Sequence, residues 1–563
     1  MCGIWLYIAQ HGTYDINTIL SSSKKLKPRG PDRNCTHQLI FNNYDIYLSF
    51  YRLAIMDLST DGDQPFVLHE NSRTIYLLCN GEIYNYKYLV DKYNLQDKLK
   101  SHSDCEVLIH LYSILGIDKL YDELMGDNVD GEFAMIILDI SGDKNNENYD
   151  MKVHVLRDMG GVRPLYEGIT SESICYSSQL IALPYKEKLE YCRQFRPYSY
   201  KTLTFKDNSY ETNHKIFSIR DFPVTIYDEQ EALDKIYDTL TMCVEQRLAA
   251  DREIMVMCSG GLDSSLCAGI AANYYKNKTN EINKVNTMSI GLEGGTDEKY
   301  AKLVADFIGS NHQHILCSEE EFLDAAKNRV IDTLESYDIT SVRASTGQLI
   351  AAEKTSQLTN CKVVIVGDYS DEITGGYNET KYAPDVNAYR DRIYELVEEI
   401  YCFDSQRVDR CIASQGLEAR TPFGDHRFIK LYMSINPVLR MPKDGCEKYL
   451  LRKAFSRKNI IPEEVLWRPK EAFSDGVSSL KKSWYQILQE DINKLYSSID
   501  LECLDILYPF NTPFTKESLH LRKRFCQTFT DNPVVAQVIP RFWLPKWGNV
   551  KEPSARVLSV YKN

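Results

Sequence analysis

The sequence predicts two domains of different fold class: a layered α+β domain over residues 2–205, then an α/β domain with a parallel sheet over residues 225–547, with a tail at 548–563. Three observations carry this. The length of 563 residues exceeds what a single hydrophobic core organises. The first two hundred residues hold short β-branched and aromatic stretches, one of them with a period of two, as half-buried strands do. From residue 254 onward, continuous apolar strands alternate with helical patterns, which is the signature of parallel strands covered on both faces.

In chain order, residues 16–26 read as a helix and residues 44–50 as a strand with period two. Strands follow at 74–79 and 133–138, with a helix over 104–115 between them. The polar run 141–149 is a surface loop, and the polar stretch 207–213 with Pro223 marks the passage between domains, near 205–225. In the second domain a strand at 254–258 leads through a tight loop into a helix. A strand at 285–290, a helix over 298–307 stopped by Gly309, and strands at 314–316 and 362–366 come next. Ligands of such sheets sit at the carboxyl ends of the strands, where the segments after residues 258, 290 and 366 begin. Helical patterns dominate from Lys381, and the proline-containing stretches 509–513 and 533–545 predict an extended tail.

Composition narrows the function classes. A net charge of -13 argues against a nucleic-acid partner, and no apolar run reaches the 18 or so residues of a membrane span. No basic leader precedes an apolar segment, and the 16 cysteines form no Cys-x-x-Cys pair, so the expectation is a cytoplasmic protein with reduced thiols.

Two motifs carry chemistry. Ser259-Gly260-Gly261-Leu262-Asp263-Ser264-Ser265 joins a strand to a helix. Its glycines allow close backbone approach, its serines offer hydroxyl donors, and the helix start adds unpaired N–H groups, which together suit a pyrophosphate. The loop lacks the Gly-Lys-Ser/Thr ending of a P-loop. At the other end, Cys2 follows Met1; excision of Met1 leaves a thiol beside a free α-amine that titrates at about 7.7–8.0 and acts as its base.

The surrounding segments resemble known families. The loop at 259–265 is similar to the pyrophosphate motif of N-type ATP pyrophosphatases. Arg29-Gly30-Pro31-Asp32, Arg52 to Asp57, Asn80-Gly81-Glu82-Ile83-Tyr84-Asn85, Ser103 to Glu106 and Asp130-Gly131-Glu132 follow the order of class II glutamine amidotransferases. With Tyr337 to Thr346, Gly416 to Phe423, Glu447 to Arg452, Trp467 to Val477 and a tail including Phe542 to Trp547 and Pro553 to Arg556, nearly the whole chain resembles the glutamine-hydrolysing asparagine synthetases.

That resemblance implies an N-terminal-nucleophile glutaminase and a synthetase using ATP, Mg²⁺, aspartate and glutamine. It implies Cys2 as nucleophile, with Asn80 and the N–H of Gly81 facing the oxyanion. Glutamine falls to Arg52, Leu53, Ala54, Ile55, Met56, Asn80, Gly81, Glu82 and Asp104: Arg52 suits its carboxylate, Glu82 and Asp104 its ammonium. A surface role for Arg52 and an N-cap role for Asp104 are the bland alternatives.

Adenosine contacts fall on Cys258, Ile290, Val366 and Gly367, pyrophosphate on Ser259 to Ser265, and Mg²⁺ on Asp263 and Asp371. The resemblance also implies Lys470 and Arg343 as the groups that neutralise departing pyrophosphate, with Lys448, Glu372 and Asp404 as lesser candidates for the same site. Dimerisation is a further family expectation. Several positions depart from the family pattern. Asp368-Tyr369 stands where Glu-Gly is usual, Gly424 replaces a leucine, and His102 replaces a small residue. Asp368 is expected to keep the glutamate's catalytic role, with bulky Tyr369 pushing the loop toward the nucleotide. Other readings are a β-lactam-synthetase-like ligase, which has no need of Cys2, and a silent regulator.

Overall fold

The computed structural model describes residues 1–142, 149–206, 209–279, 285–479, 482–496, 504–548 and 552–554. Most of the loop expected at 141–149, Ala555 and Arg556, and most of the tail therefore lie outside the described residues. The chain divides into two compact units. The first comprises Met1–Ser218, Ala250–Arg252 and Phe529–Val538; the second holds the remainder.

The first unit is built from strands β1 Gly3–Gln10, β2 Arg33–Phe41, β3 Tyr44–Arg52, β4 Phe66–Glu70, β5 Arg73–Ile83, β6 Gly131–Ser141, β7 Asp150–Arg157, β8 Tyr166–Ile169, β9 Ser173–Ser177, β10 Tyr191–Gln194, β11 Ser199–Lys206 and β12 Ser209–Ile216. Two antiparallel six-stranded sheets result, in the orders β10-β8-β9-β1-β3-β2 and β12-β11-β7-β6-β5-β4. Inward residues of both, among them Ile4, Leu6, Ile8, Leu48, Leu78, Ile136 and Val153, share one core, which makes this the expected layered α+β domain. The polar stretch after residue 208 is no linker. It pairs along its length with β11 as an exposed edge strand, where polar side chains are tolerated because one face meets water.

The helix expected at 104–115 starts at Val107, because the side chain of Glu106 accepts the N–H groups of Lys100 and Ser101 and closes the preceding turn. It breaks at Gly116 and resumes to Leu124.

The second unit carries β13 Ile254–Met257, β14 Asn286–Leu292, β15 Asn311–Cys317, β16 Val363–Ile365 and β17 Glu418–Arg420. All four pairings are parallel, in the order β15-β14-β13-β16-β17. The chain winds outward one way from β13 to β15 and then crosses to β16, so the order reverses between β13 and β16. In such sheets the crevice at the carboxyl ends of the two strands flanking the reversal is where ligands bind. The fifth strand was not expected. It has three residues, two of them charged, and these are buried because Arg420 Nε donates to Glu418 Oε1 (2.8 Å) and Arg420 Nη1 to the carbonyls of Arg247 and Ala249. The stretch 533–545 also differs from an extended tail at its start, where a short helix forms at Pro533–Ala536, and a longer helix, Lys516–Thr528, separates it from 509–513. Among the described residues no helix is long and apolar enough to cross a membrane, and no cysteine is in a disulfide.

Candidate active sites

In the second unit the loops after β13 and β16 open into a cleft. After β13 comes the loop 258–261, then the helix Leu262–Tyr274, whose first turn faces the cleft. Gly260 has φ +77°, and a Cβ there would lie 2.4 Å from the backbone N of Ala301, so only glycine lets the loop lie against the helix Asp297–Ile308. Arg468 holds the loop from behind, donating to the carbonyl of Gly260 (3.1 Å) and to Asp297 (2.8 Å). Gly260→Ala is expected to lower stability by about 1–3 kcal/mol, since the left-handed conformation and the backbone clash both persist. Thermal unfolding of the variant checks this.

Lysines and aspartates interleave beside that loop. Lys448 Nζ lies 2.8 and 2.7 Å from the two oxygens of Asp263 and also pairs with Asp371, while Lys470 Nζ lies 2.6 Å from Asp371. Burial alone pushes the Asp371 carboxyl up, but Lys448 and Lys470 outweigh it and hold the group far below the usual carboxylate range. Burial likewise disfavours the Lys470 ammonium, and Asp371 with Asp263 more than restores it. The result is a set of fixed, charged groups at a helix start, suited to phosphates and to a hard cation shared with them. Mg²⁺ ordinarily takes one or two carboxylates and completes its shell with phosphate oxygens and water. Asp263 and Asp371 fit that donor set; among the described residues no cluster of three or more ligating side chains competes.

After β16 the loop Val366-Gly367-Asp368 reaches the same cleft. Asp368 pairs with Arg407, whose guanidinium also lies 2.7 Å from Asp404. Burial raises the Asp368 carboxyl, with Arg407 opposing and Asp404 reinforcing the shift. Glu372 is raised further by burial and by Asp404, and it accepts from the hydroxyl of Tyr377. One guanidinium thus sits among three carboxyl groups. Tyr369 adopts φ +76°, the conformation a glycine would take without cost, and its buried hydroxyl meets Ser405. Arg407 was not singled out from sequence, although its i,i+3 spacing from Asp404 was readable.

Of the residues expected at the nucleotide, Cys258, Ser259, Gly261, Asp263, Ser264, Ile290, Val366, Gly367 and Lys470 all line the cleft. Burial pushes the Cys258 thiol up to about 11, so it is not a nucleophile. Arg343 requires a correction. It is absent from the cleft lining and sits in a smaller neighbouring cavity, donating to Glu517 (2.8 and 2.5 Å) and to Glu552. Its helix turns it away from the phosphate loop, and two carboxylates already neutralise it.

In the first unit, Cys2 precedes β1 and its Sγ lies 3.7 Å from the carbonyl of Leu53. Arg29 Nε donates to the carbonyl of Cys2 (2.9 Å), and Asp32 accepts the N–H of Ala54 (2.8 Å), so the segment 29–32 ties Cys2 to the loop after β3. Met1 is buried, with its sulfur against Arg163. Asn80, on β5, is buried, and its Nδ2 has no acceptor among the described residues. A Cβ on Gly81 would lie 2.4 Å from the carbonyl of Glu132, so the β5–β6 pairing admits no side chain there.

Asp104 is not a helix cap; its Oδ2 accepts the N–H of Ile83 (2.6 Å) at the end of β5, beside buried Glu82. Arg52 is buried and wrapped by the loop after β3, donating to the carbonyls of Ser59 (2.6 Å) and Asp57 and to Asp63 (2.7 Å). It is neither a surface residue nor, in this state, a fork offered to a carboxylate.

Comparison with known proteins gives the same two-part division of the chain. A glutamine amidotransferase domain model matches residues 1–235, and an asparagine synthase model matches 235–401 and 386–510. A probable glutamine-hydrolysing asparagine synthetase of Acanthamoeba polyphaga mimivirus is 37% identical over 582 residues, covering all of both chains. The chain belongs to the glutamine-hydrolysing asparagine synthetase family. Asparagine synthetases of Rattus norvegicus and Homo sapiens are 35% and 36% identical over 589 residues, covering 100% of this chain and 99% of each of theirs. Within this asparagine synthetase family, Cys2 and Asn80 belong to the amidotransferase match, and the switch-point cleft belongs mostly to the synthase match.

Proposed function

We propose that the chain makes L-asparagine from L-aspartate and L-glutamine at the expense of ATP, releasing glutamate, AMP and pyrophosphate. The observation that carries this is the switch-point cleft, which sets a pyrophosphate loop and two lysine–aspartate pairs beside the carboxyl cluster of Asp368, Asp404 and Glu372.

The cleft supports a division of labour. Ser259 to Ser265 take the pyrophosphate, with Lys448 and Lys470 beside the leaving oxygens. A β-carboxylate oxygen of aspartate attacks the α-phosphorus, and the bond to pyrophosphate breaks, leaving β-aspartyl-AMP. The net-negative cluster around Arg407 suits the α-ammonium of aspartate. Ammonia then attacks the acyl carbon, loses a proton, and AMP leaves. Asp263 and Asp371 are the groups that hold Mg²⁺, which supplies charge neutralisation on the phosphates when bound.

In the first unit Cys2 attacks the glutamine amide. Asn80 Nδ2 and the N–H of Gly81 meet the oxyanion, a type of contact worth about 2.7–4 kcal/mol per donor. Leu53, Ala54, Ile55 and Met56 line the bound glutamine. Glu82 and Asp104 hold its ammonium, and Arg52 meets its carboxylate by exchanging its contacts with the loop after β3.

A single assay tests the reading: ATP, Mg²⁺, aspartate and glutamine are supplied, and asparagine, AMP, pyrophosphate and glutamate are measured. Equal asparagine and AMP are expected. AMP without asparagine would point to the β-lactam-type ligase, and no turnover to a silent regulator. We also place the enzyme in the cytosol; light scattering distinguishes a monomer from the homodimer that the family suggests.

A further inference from the structure

In the first unit the loop after β3 is held along its backbone from two sides. Arg252 Nε donates to the carbonyl of Ala54 (3.1 Å), the N–H of Asp251 to the carbonyl of Ile55 (3.2 Å), and the N–H of Asp57 to Asp251 Oδ2 (3.0 Å). From the other side Arg52 donates to the carbonyls of Met56 (3.4 Å) and Asp57. The carboxylate of Asp57 then reaches out of the loop. Its Oδ1 accepts the N–H of Ser59 (2.9 Å), and its Oδ2 accepts the N–H of His102 (2.7 Å).

Asp57 is buried and has φ +57°, a left-handed conformation that aspartate tolerates better than most residues. Burial alone would push its carboxyl up, but the hydrogen bonds from Ser59 and His102 and the charge of Arg52 outweigh it and hold the group below its ordinary range. His102 stands two residues before Asp104. The segment between is fixed by Glu106, whose Oε2 accepts both the N–H and the hydroxyl of Ser101 (2.7 and 2.6 Å). Asp57 meets the backbone of His102 while the imidazole is exposed, so a histidine in place of the usual small residue leaves this link intact.

We propose that Asp57 is a positioning residue for glutamine hydrolysis, holding the carboxylate end of the substrate site, at Arg52, at a fixed spacing from the ammonium end, at Asp104. This rests on the reading of Arg52, Glu82 and Asp104 as the glutamine-binding groups and adds what sets the distance between them. The α-carboxylate and α-ammonium of glutamine share one carbon, so their receivers must be spaced before the substrate arrives. When Arg52 turns to the substrate it gives up the loop carbonyls, and a loop held by Arg52 alone would come loose. The bonds of Asp57 to Asp251, Ser59 and His102 do not involve Arg52 and persist.

The test uses the full-length enzyme and compares hydrolysis of L-glutamine with that of 5-amino-5-oxopentanoate, which is glutamine without its amino group. Asp57→Asn keeps the side-chain volume and the tolerance of the left-handed conformation, but its amide nitrogen would face one of the two N–H groups. It is expected to raise the KM for glutamine about 10- to 100-fold, the size of one lost hydrogen bond to a charged group, with kcat within about threefold. The KM for the analogue, which engages only one end of the site, is expected to stay within about threefold. Asp251→Ala removes the loop's outer anchor at an exposed position, and a rise in the glutamine KM of about threefold or more is expected there. Ammonia-dependent asparagine formation stays at the parent rate in both variants.

A merely structural role would lower the fraction of active enzyme, reducing kcat for both substrates and leaving both KM values unchanged, and that result overturns the proposal. So does a parent-like glutamine KM in Asp57→Asn, or in Asp251→Ala should the first variant not fold. Equal KM values for the two substrates in the parent overturn the ammonium reading of Glu82 and Asp104 and, with it, the proposal.

Discussion

Cys2→Ala is expected to lower glutamine-dependent asparagine formation by more than about 1,000-fold, while ammonia-dependent formation stays near the parent rate. On the proposed function the thiol serves only the amide hydrolysis, while the cleft assigned to adenylation is lined by residues of the second unit. The same pattern is expected in a form of the protein that keeps Met1. With Met1 attached, the nitrogen of Cys2 is a peptide amide, with no lone pair basic enough to take the thiol proton. Met1 is buried with its sulfur against Arg163, whose guanidinium is also 3.2 Å from Glu132, so excision opens space beside Cys2. Intact-mass measurement of the N-terminus together with glutaminase activity checks this. Full glutaminase activity in a sample with Met1 wholly retained would overturn the N-terminal nucleophile.

The positions that carry the chemistry were legible where a backbone requirement leaves a mark in the sequence. Gly260 betrays a left-handed turn against a neighbouring helix, and the apolar runs of β13, β14 and β16 betray a parallel sheet, from which the cleft follows by topology. Asn80 could be named because it sits in a recognisable run, but its meaning as an unfilled donor appears only once β5 and β6 are paired.

Other features depend on long-range partners and left no local trace. Arg343 reads as a phosphate group until Glu517, 174 residues away, is found against it. Arg52 reads as an open fork until the loop behind it closes over it. Strand β17 is invisible to periodicity because charge pairing, not apolar content, holds it in the interior.

Asp368→Ala is expected to reduce both glutamine-dependent and ammonia-dependent synthesis by about a hundredfold or more, with glutaminase activity of the first unit retained. An aspartate here is about 1.5 Å shorter than a glutamate, so its reach must come from the backbone. The geometry supplies a reason it can. Tyr369 holds φ +76° where a glycine would be easier, a strain of about 1–3 kcal/mol, and its buried hydroxyl is secured by Ser405 at the start of the helix Asp404–Ala413. That anchor fixes the peptide next to Asp368, while Arg407 from the same helix orients the carboxylate.

Burial raises the Asp368 carboxyl, so on the proposal that it takes the proton of incoming ammonia it can do so only above the ordinary carboxylate range. The acidic limb of the ammonia-dependent rate is accordingly expected to lie at higher pH than a solvent-exposed aspartate would give, and to vanish in Asp368→Asn. Asp368→Glu, longer by one methylene beside a peptide that Tyr369 and Ser405 fix, is expected to recover only part of the rate. If Asp368→Ala makes asparagine and AMP at the parent rate with the acidic limb unchanged, Asp368 has no catalytic role, and the carboxyl cluster around Arg407 serves binding alone.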